Sequence, residues 1–372
     1  MKIGQVCPLS ESVPPQMYGG TERVVAFLTD QLVEAGHDVT LFASGDSVTR
    51  AKLVACVPRA LRLEGTCLDP VAHHLVMMEE VARRADDFDL VHFHDGYLHF
   101  PLMRRLGIPR ITTVHGRLDV PELQKIHRTF PDEPLVSISD AQRIPLPSIG
   151  WQGTVHHGLP PDLYAFHPGP GRYLAFLGRI SPEKGPDRAI EIARRVGMPL
   201  KIAAKVDKVD EQYFATRIEP LLNDPLIEFI GEIDEVQKDR FLGEAAVVLF
   251  PVDWPEPFGL VMIEAMACGT PVVAFARGSV REVMRDGVSG FVVETVDEAV
   301  GAVQRALELP REGCRTYFDG HFTVARMADD YLRIYEQAIF RQRPRRLTDS
   351  APKEAETETE TDELIPESAA QG

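Results

Sequence analysis

Short apolar runs alternate along the chain with longer stretches whose apolar positions recur every three or four residues, the pattern of a parallel sheet covered by helices on both faces. A first series of strand-like runs reads KIGQVC from Lys2, DVTLFA from Asp38, LVHFH from Leu90, RITTVH from Arg110, PLVSIS from Pro134 and TVHH from Thr154. A helix is expected from about Thr21 to Ala35. A second series starts near Tyr173 with YLAFLG and continues through LKIAAK, LIEFIG, AVVLF and TPVVAFA. Between the two lies PPDLYAFHPGPGR, whose Pro and Gly content reads as a hinge.

The expected organisation is a first doubly wound α/β domain over 1–160, a hinge over 161–172 and a second such domain over 173–320. A helix over 321–343 follows, with Met327, Tyr331, Ile334, Tyr335 and Ile339 at helical spacing. Residues 344–372 are rich in Pro, Glu, Thr and Ser and poor in apolar groups, so they are expected to be a disordered acidic tail.

Composition narrows the function classes. From Ala351 to Gly372 seven acids face the single Lys353, so about −6 of the formal net charge of −16 belongs to the tail and the body is acidic too. No basic face for nucleic acid is present. Five cysteines, Cys7, Cys56, Cys67, Cys268 and Cys314, are odd in number and show no C-x-x-C spacing, which argues against a disulfide framework or a structural zinc site and fits a reducing cytoplasm. No secretory leader pattern and no run of ~18 apolar residues is seen. Weak, transient contact with a membrane surface stays open, since Arg341, Arg343, Arg345 and Arg346 could touch anionic lipid or pair with the tail. Oligomeric state is not legible.

Open parallel sheets bind ligands at the carboxyl ends of their strands, which gathers the loops after KIGQVC, RITTV, PLVSI, YLAFL and AVVLF at one cleft. The sharpest signal there is EPFGLVMIE, Glu256 to Glu264. Glu264 sits among Val261, Met262, Ile263, Ala265, Met266 and Ala267 on a helix that is apolar nearly all round, so it is expected to be buried and to need a partner. Glu256 precedes that helix, and the free N–H groups of Phe258, Gly259 and Leu260 open its first turn toward anionic or hydroxyl-rich ligands. In GRISPEKG, Arg179 and Lys184 could converge on a diphosphate, or be solvated surface cations. Gly19 and Gly20 precede Thr21, read as an N-cap, and without Cβ atoms they would let a phosphate or sugar approach the backbone.

These segments carry a family resemblance. EPFGLVMIEAMACGTPVVA resembles the E-x7-E segment of retaining family 4 glycosyltransferases, which transfer sugar from a nucleotide-sugar donor. FLGRISPEKGPDRAIEIA is similar to that family's G-R-x-x-x-x-K-G loop, with Arg179 and Lys184 matching its diphosphate-binding pair. MYGGTERVVAFLTDQLVEAGHDVTLFASG is similar to its glycine-rich first loop and helix, and the likeness extends over most of the chain.

The resemblance implies the GT-B architecture: two facing Rossmann-like domains, the acceptor on the first and the donor mainly on the second, with the C-terminal helix crossing back to the first. It implies transfer of a hexose, by default glucose from uridine diphosphate glucose, to an acceptor hydroxyl with retention at the anomeric carbon. No cofactor or metal is expected beyond the nucleotide-sugar co-substrate, Arg179 and Lys184 taking the metal's place on the departing diphosphate. Glu264 would hold the ribose hydroxyls; Glu256 would contact sugar hydroxyls or support the developing positive charge; His115 would lie near the transferred sugar. The acceptor, whether saccharide, lipid or small metabolite, is not read from sequence. A nucleotide-sugar epimerase of related architecture, or a protein that binds the sugar nucleotide without turnover, are the rival readings.

Lys205, at the end of LKIAAK, and Asp140, after the N-cap Ser139, are further candidates, Asp140 reading more readily as a first-turn acid than as an acceptor-side group. Asp87 with Asp89 reads as a polar strand entry, and His92, His94 and Asp95 lack a fourth ligand for a metal. His73 with His74, and His156 with His157, are adjacent pairs whose side chains diverge.

Overall fold

The computed structural model describes residues 1–342. The expected disordered tail over 344–372 lies outside the described residues. Seven strands form the first sheet: β1 (Lys2–Val6), β2 (Asp38–Ser44), β3 (Lys52–Val57), β4 (Leu90–Phe93), β5 (Arg110–Thr113), β6 (Leu135–Ser137) and β7 (Trp151–Thr154), in the order β3-β2-β1-β4-β5-β6-β7. Six form the second: β8 (Tyr173–Arg179), β9 (Leu200–Lys205), β10 (Ile227–Gly231), β11 (Ala245–Phe250), β12 (Val272–Phe275) and β13 (Gly290–Val293), in the order β10-β9-β8-β11-β12-β13. Every neighbouring pair is parallel. Strand order reverses between β1 and β4 and again between β8 and β11, and such switch points open crevices at the strands' carboxyl ends.

Three strand readings need correction. KLVACV, now β3, is an edge strand whose residues are mostly exposed or half-buried, so it offers no continuous apolar run. GFVV, now β13, is the other sheet's edge. The last strand of the first sheet is WQGT rather than TVHH; it pairs with β6 from Trp151 to Thr154, leaving His156 and His157 in the loop beyond.

Helix α1 (Gly20–Glu34) buries Val24, Val25, Leu28 and Leu32 under the first sheet. It begins ahead of Thr21, with Gly19 at φ 157° as its cap residue and no side chain capping it, so Thr21 is not the N-cap. A Cβ on Gly19 would stand 2.7 Å from the Pro15 ring, which explains why glycine turns the chain there. In the second half, α2 (Pro186–Val196) opens with Pro186 in its first turn as expected, α3 (Glu235–Gly243) starts with a capping box between Asp234 and Gln237, and α4 (Leu260–Ala267) is buried along nearly its whole length.

The closing helix splits. His321 ends α5 (Arg311–His321), and α6 (Val324–Gln342) follows after Phe322 and Thr323. Helix α6 buries Met327, Tyr331, Ile334, Tyr335 and Ala338 in the core of the first sheet, beside Val24, Leu28, Leu90 and Ile111. The chain therefore passes between the halves twice, and the passages run side by side: Leu159 N–H donates to Phe322 O at 2.9 Å, and Val324 N–H to Leu159 O at 2.8 Å. Among the described residues no helix is long and apolar enough to cross a membrane.

Candidate active site

The two switch points face one cleft of about 580 Å³. Gly19, Gly20, His115, Arg179, Lys184, Lys205, Glu256, Phe258, Gly259, Leu260 and Glu264 all line it. Asp140 does not. It is exposed, its carboxylate accepts from Thr154 Oγ1 at 2.5 Å, and its neighbour Ser139 caps the short helix Asp140–Arg143 by accepting from Gln142 N–H at 3.0 Å.

The floor of the second half is the start of α4. Gly259 holds φ 80°, and a Cβ there would come within 2.8 Å of Met262 Cε and 2.9 Å of Phe250 Cζ, so only glycine lets the chain turn into the helix at this point. Opposite, Gly20 lies close enough to Leu260 that an added Cβ would touch its Cδ1 at 3.5 Å. The amino ends of α1 and α4 thus meet across the cleft, and their unpaired N–H groups and dipoles give it two places that favour negative charge or hydroxyl oxygens.

Around these ends the side chains form paired sets. Glu256 is buried and accepts from Lys184 Nζ at 2.5 Å and from Trp254 Nε1 at 2.8 Å, both on Oε2, which leaves Oε1 without a partner among the described residues. Lys184 also lies 4.9 Å from the Trp254 ring centroid. Glu264 is 3 % exposed, and its partner is Lys238 of α3, 2.9 Å from Oε1; the Tyr164 hydroxyl lies 3.4 Å from the same oxygen, its one proton going to the closer Glu235 carboxylate. Burial pushes the Lys238 ammonium down, Glu264 pulling it back in part. Arg179 pairs with Glu183 and lies 3.8 Å from Asp207 and 3.5 Å from Asp210, while Lys205 pairs with Asp207 at 3.1 Å. Both cations are therefore held by carboxylates rather than solvated.

On the first half, His115 follows β5. Its Nε2 is 2.9 Å from His94 Nδ1, and the ring is partly open to the cleft while enclosure of the rest pushes its pKa down to about 3, so it is neutral. The halves also touch directly around the cleft. Arg23 of α1 pairs with Glu235 of α3, and Tyr18 N–H donates to the Glu232 carboxylate at 3.1 Å. Away from it, Glu282 accepts from Asp140 N–H at 2.7 Å, Ala141 N–H at 2.6 Å and His156 Nε2 at 3.2 Å.

Sequence reading passed over Lys238, Trp254 and Glu22, and set His157 aside as half of a divergent histidine pair; all four line the cleft. For Lys238 the signal was present: a buried Glu264 demanded a cation, and EVQKDR held candidates for it. His92 and His94, considered for a metal, instead spend their ring nitrogens on hydrogen bonds to Tyr335, Thr113, Gln5 and His115.

Two family models cover this architecture. Residues 18–146 match Glycosyltransferase Family 4 and residues 166–317 match Glycosyl transferases group 1, so the matched segments frame the cleft from both halves. The chain belongs to the GT4-type glycosyltransferases of GT-B fold. Relatives of this glycosyltransferase include the phosphatidyl-myo-inositol mannosyltransferase of Mycolicibacterium smegmatis, 29% identical over 336 residues that span 81% of this chain and 82% of that protein. The D-inositol 3-phosphate glycosyltransferase of Geodermatophilus obscurus is 29% identical over 390 residues, spanning 86% and 85%. Among solved structures, AviGT4, a glycosyltransferase involved in avilamycin A biosynthesis, superposes with a TM-score of 0.71 at 27% identity over 91% of this chain and 98% of that one. The sucrose-phosphate synthase of Thermosynechococcus elongatus gives a TM-score of 0.74 over 91% and 99%, at 18% identity a likeness of fold alone.

Proposed function

We propose that this glycosyltransferase moves a hexose from a nucleoside diphosphate sugar to an acceptor hydroxyl with retention at the anomeric carbon. The observation that carries the reading is the convergence of Arg179, Lys184, Glu256 and Glu264 on the cleft where the amino ends of α1 and α4 meet. Among the described residues the second half presents two carboxylate oxygens without protein partners, Oε1 of Glu256 and Oε2 of Glu264, and two cations, Arg179 at the end of β8 and Lys184 on the loop that follows.

In this reading Arg179 and Lys184 stabilise the leaving diphosphate, the guanidinium as a fork and the ammonium as a point charge. Glu264 receives a ribose hydroxyl on its open oxygen, Lys238 keeping the other occupied. Glu256, its charge balanced by Lys184 before the donor arrives, receives sugar hydroxyls and supports the positive charge that develops at the anomeric carbon. His115 meets the transferred sugar from the first half. Attack then comes from the face the diphosphate leaves, with the leaving phosphate taking the acceptor's proton.

The experiment is calorimetric titration of the wild type, Arg179→Ala and Glu264→Ala with a panel of nucleoside diphosphate sugars, in chelator. The panel includes glucose donors, the family default, and mannose donors, because mannosyl transfer is in the names of relatives. Tight binding of one donor, weakened in both variants, followed by product of retained configuration with an inositol phosphate or saccharide acceptor, is the expected result. Isomerised sugar released without any acceptor would replace this reading with an epimerase, and donor binding that requires a divalent metal would remove Arg179 and Lys184 from the diphosphate.

A further inference from the structure

Behind His115 a single file of hydrogen bonds runs through the first sheet to α6. His115 Nε2 is 2.9 Å from His94 Nδ1, and His94 Nε2 is 2.8 Å from Gln5 Oε1. Gln5 Nε2 is 3.1 Å from the Tyr335 hydroxyl, which is 2.8 Å from His92 Nδ1. His92 Nε2 is 2.7 Å from Thr113 Oγ1, and that oxygen is 2.9 Å from the Tyr331 hydroxyl. Apart from His115, every member is at most 3 % exposed, so water does not interrupt the file.

The direction of each bond follows from one side chain. The Gln5 amide nitrogen can only donate, and it faces Tyr335; its oxygen can only accept, and it faces His94. His94 must therefore carry its proton on Nε2. Among the described residues no carboxylate joins the file, and the His92 and His94 rings lie 3.9 Å apart between centroids, so a charged ring there would be desolvated beside another imidazole with no counter-ion. Neutral His94 then has a bare Nδ1, which has to accept from His115 Nε2–H. On the far side, Tyr335 accepts from Gln5 and gives its one proton to His92 Nδ1, and His92 Nε2–H passes the same polarity to Thr113 and Tyr331. Each link contains one proton. Reversing His115 would require the Gln5 amide to turn over and all six links to reverse together.

We propose that Gln5, His94 and Tyr335 are positioning residues that fix His115 as its Nε2–H tautomer, so that a bare Nδ1 faces the cleft and accepts a hydrogen bond from a substrate hydroxyl. Nδ1 makes no bond within the protein among the described residues. The substrate side of the inference rests on the reading that His115 meets the transferred sugar; the tautomer itself does not. A hydroxyl that donates to His115 keeps its lone pairs free for other partners, whereas an N–H pointing into the cleft would demand them. The Tyr335 hydroxyl of α6 thus acts on the cleft through three intervening groups, Gln5, His94 and His115, without touching a ligand.

The test is ¹⁵N NMR of the full-length protein labelled at histidine, in which protonated and bare ring nitrogens are distinguished by chemical shift. The wild type is expected to show His115 protonated on Nε2 and bare on Nδ1. Tyr335→Phe frees the Gln5 amide to turn, and Gln5→Met cuts the file at its centre; in both, His115 is expected to populate both tautomers, with kcat down on the order of tenfold and donor KM unmoved. A wild type with its proton on Nδ1 overturns the proposal, and that readout needs no variant to fold. So does either variant, folded by thermal melt and circular dichroism, with an unchanged tautomer. Full transfer activity in His115→Ala would instead remove His115 from the substrate while leaving the tautomer result standing.

Discussion

Lys238 Nζ lies 2.9 Å from Glu264 Oε1, and the two side chains retain only 13% and 4% of their exposure. Each is buried because the other is there. Removing one leaves a desolvated charge without its partner, a cost of about 3–5 kcal/mol, while replacing both with apolar or neutral groups avoids most of it. Lys238→Met should therefore lower stability to chemical denaturation by that amount, and Lys238→Met with Glu264→Gln should recover much of the loss. If the single and double variants unfold alike, the pair is not coupled.

Gly278 supports the cleft from outside it. It holds φ 57°, and a Cβ would stand 2.2 Å from Glu256 O and 2.4 Å from Glu256 N, both backbone atoms that cannot swing away. Ser279 N–H also donates to that same Glu256 oxygen at 2.9 Å. Gly278→Ala should displace Glu256 and cut kcat at least tenfold through a position that meets no substrate. Wild-type turnover in this variant would show that the Glu256 backbone tolerates movement.

Glu282 joins the two halves through two amide donors at the start of helix Asp140–Arg143 and through His156. Burial opposes its charge, but donation from His156 and from the Asp140 and Ala141 amides outweighs it and holds its pKa below the usual glutamate range. Glu282→Ala should widen the molecule in small-angle scattering and raise donor KM, since closure excludes water from the reaction. An unchanged scattering profile would mean that other contacts, such as Arg23 with Glu235, set the separation alone.

Asp95 gives a pH dependence whose sign can be worked out. It is enclosed beside Cys7, and burial raises its pKa to about 7. His74 Nε2, 3.9 Å away, accepts the Leu9 N–H at 3.2 Å while Nδ1 faces Pro70 O, so the ring is a neutral acceptor and not a counter-ion. Below about pH 4 folded and unfolded chains both hold the proton, and the burial is without penalty. As pH rises from about 4 to about 7 the unfolded chain ionises first, so stability falls across that window. Asp95→Asn should flatten this slope and raise the melting temperature at pH 8. A variant with the wild-type slope would assign it to other groups.

How much was legible follows from where each signal is stored. The central strands, such as AVVLF and LKIAAK, are largely buried and write themselves as apolar runs, whereas the edge strands β3, β7 and β13 are partly open and do not; β10, the remaining edge, is also half open, but Leu226, Ile227, Phe229 and Ile230 still make LIEFIG legible. Arg179, Lys184, Glu256 and Glu264 were visible because each motif is local. Their partners were not: Lys238 is 26 residues from Glu264, and Tyr335 is 330 residues from Gln5, separations that no local spacing encodes. Thr21 failed as a cap because the turn ahead of α1 needed a residue without a Cβ, a steric demand set by Pro15. Asp140 was drawn to the cleft by its strand end, but its carboxylate is taken by Thr154.

Helix α6 is the last described element, yet Met327, Tyr331 and Tyr335 are core of the sheet that contains Lys2. During synthesis the strands and helices over 1–154 emerge with the apolar stripe beside α1 uncovered, and it stays so until nearly two hundred further residues have left the ribosome. The second half can gather its sheet in that interval. The first is finished only when the chain returns, so the hydroxyls that reach toward His115 arrive last among the described elements, and the file of hydrogen bonds behind that histidine closes only then.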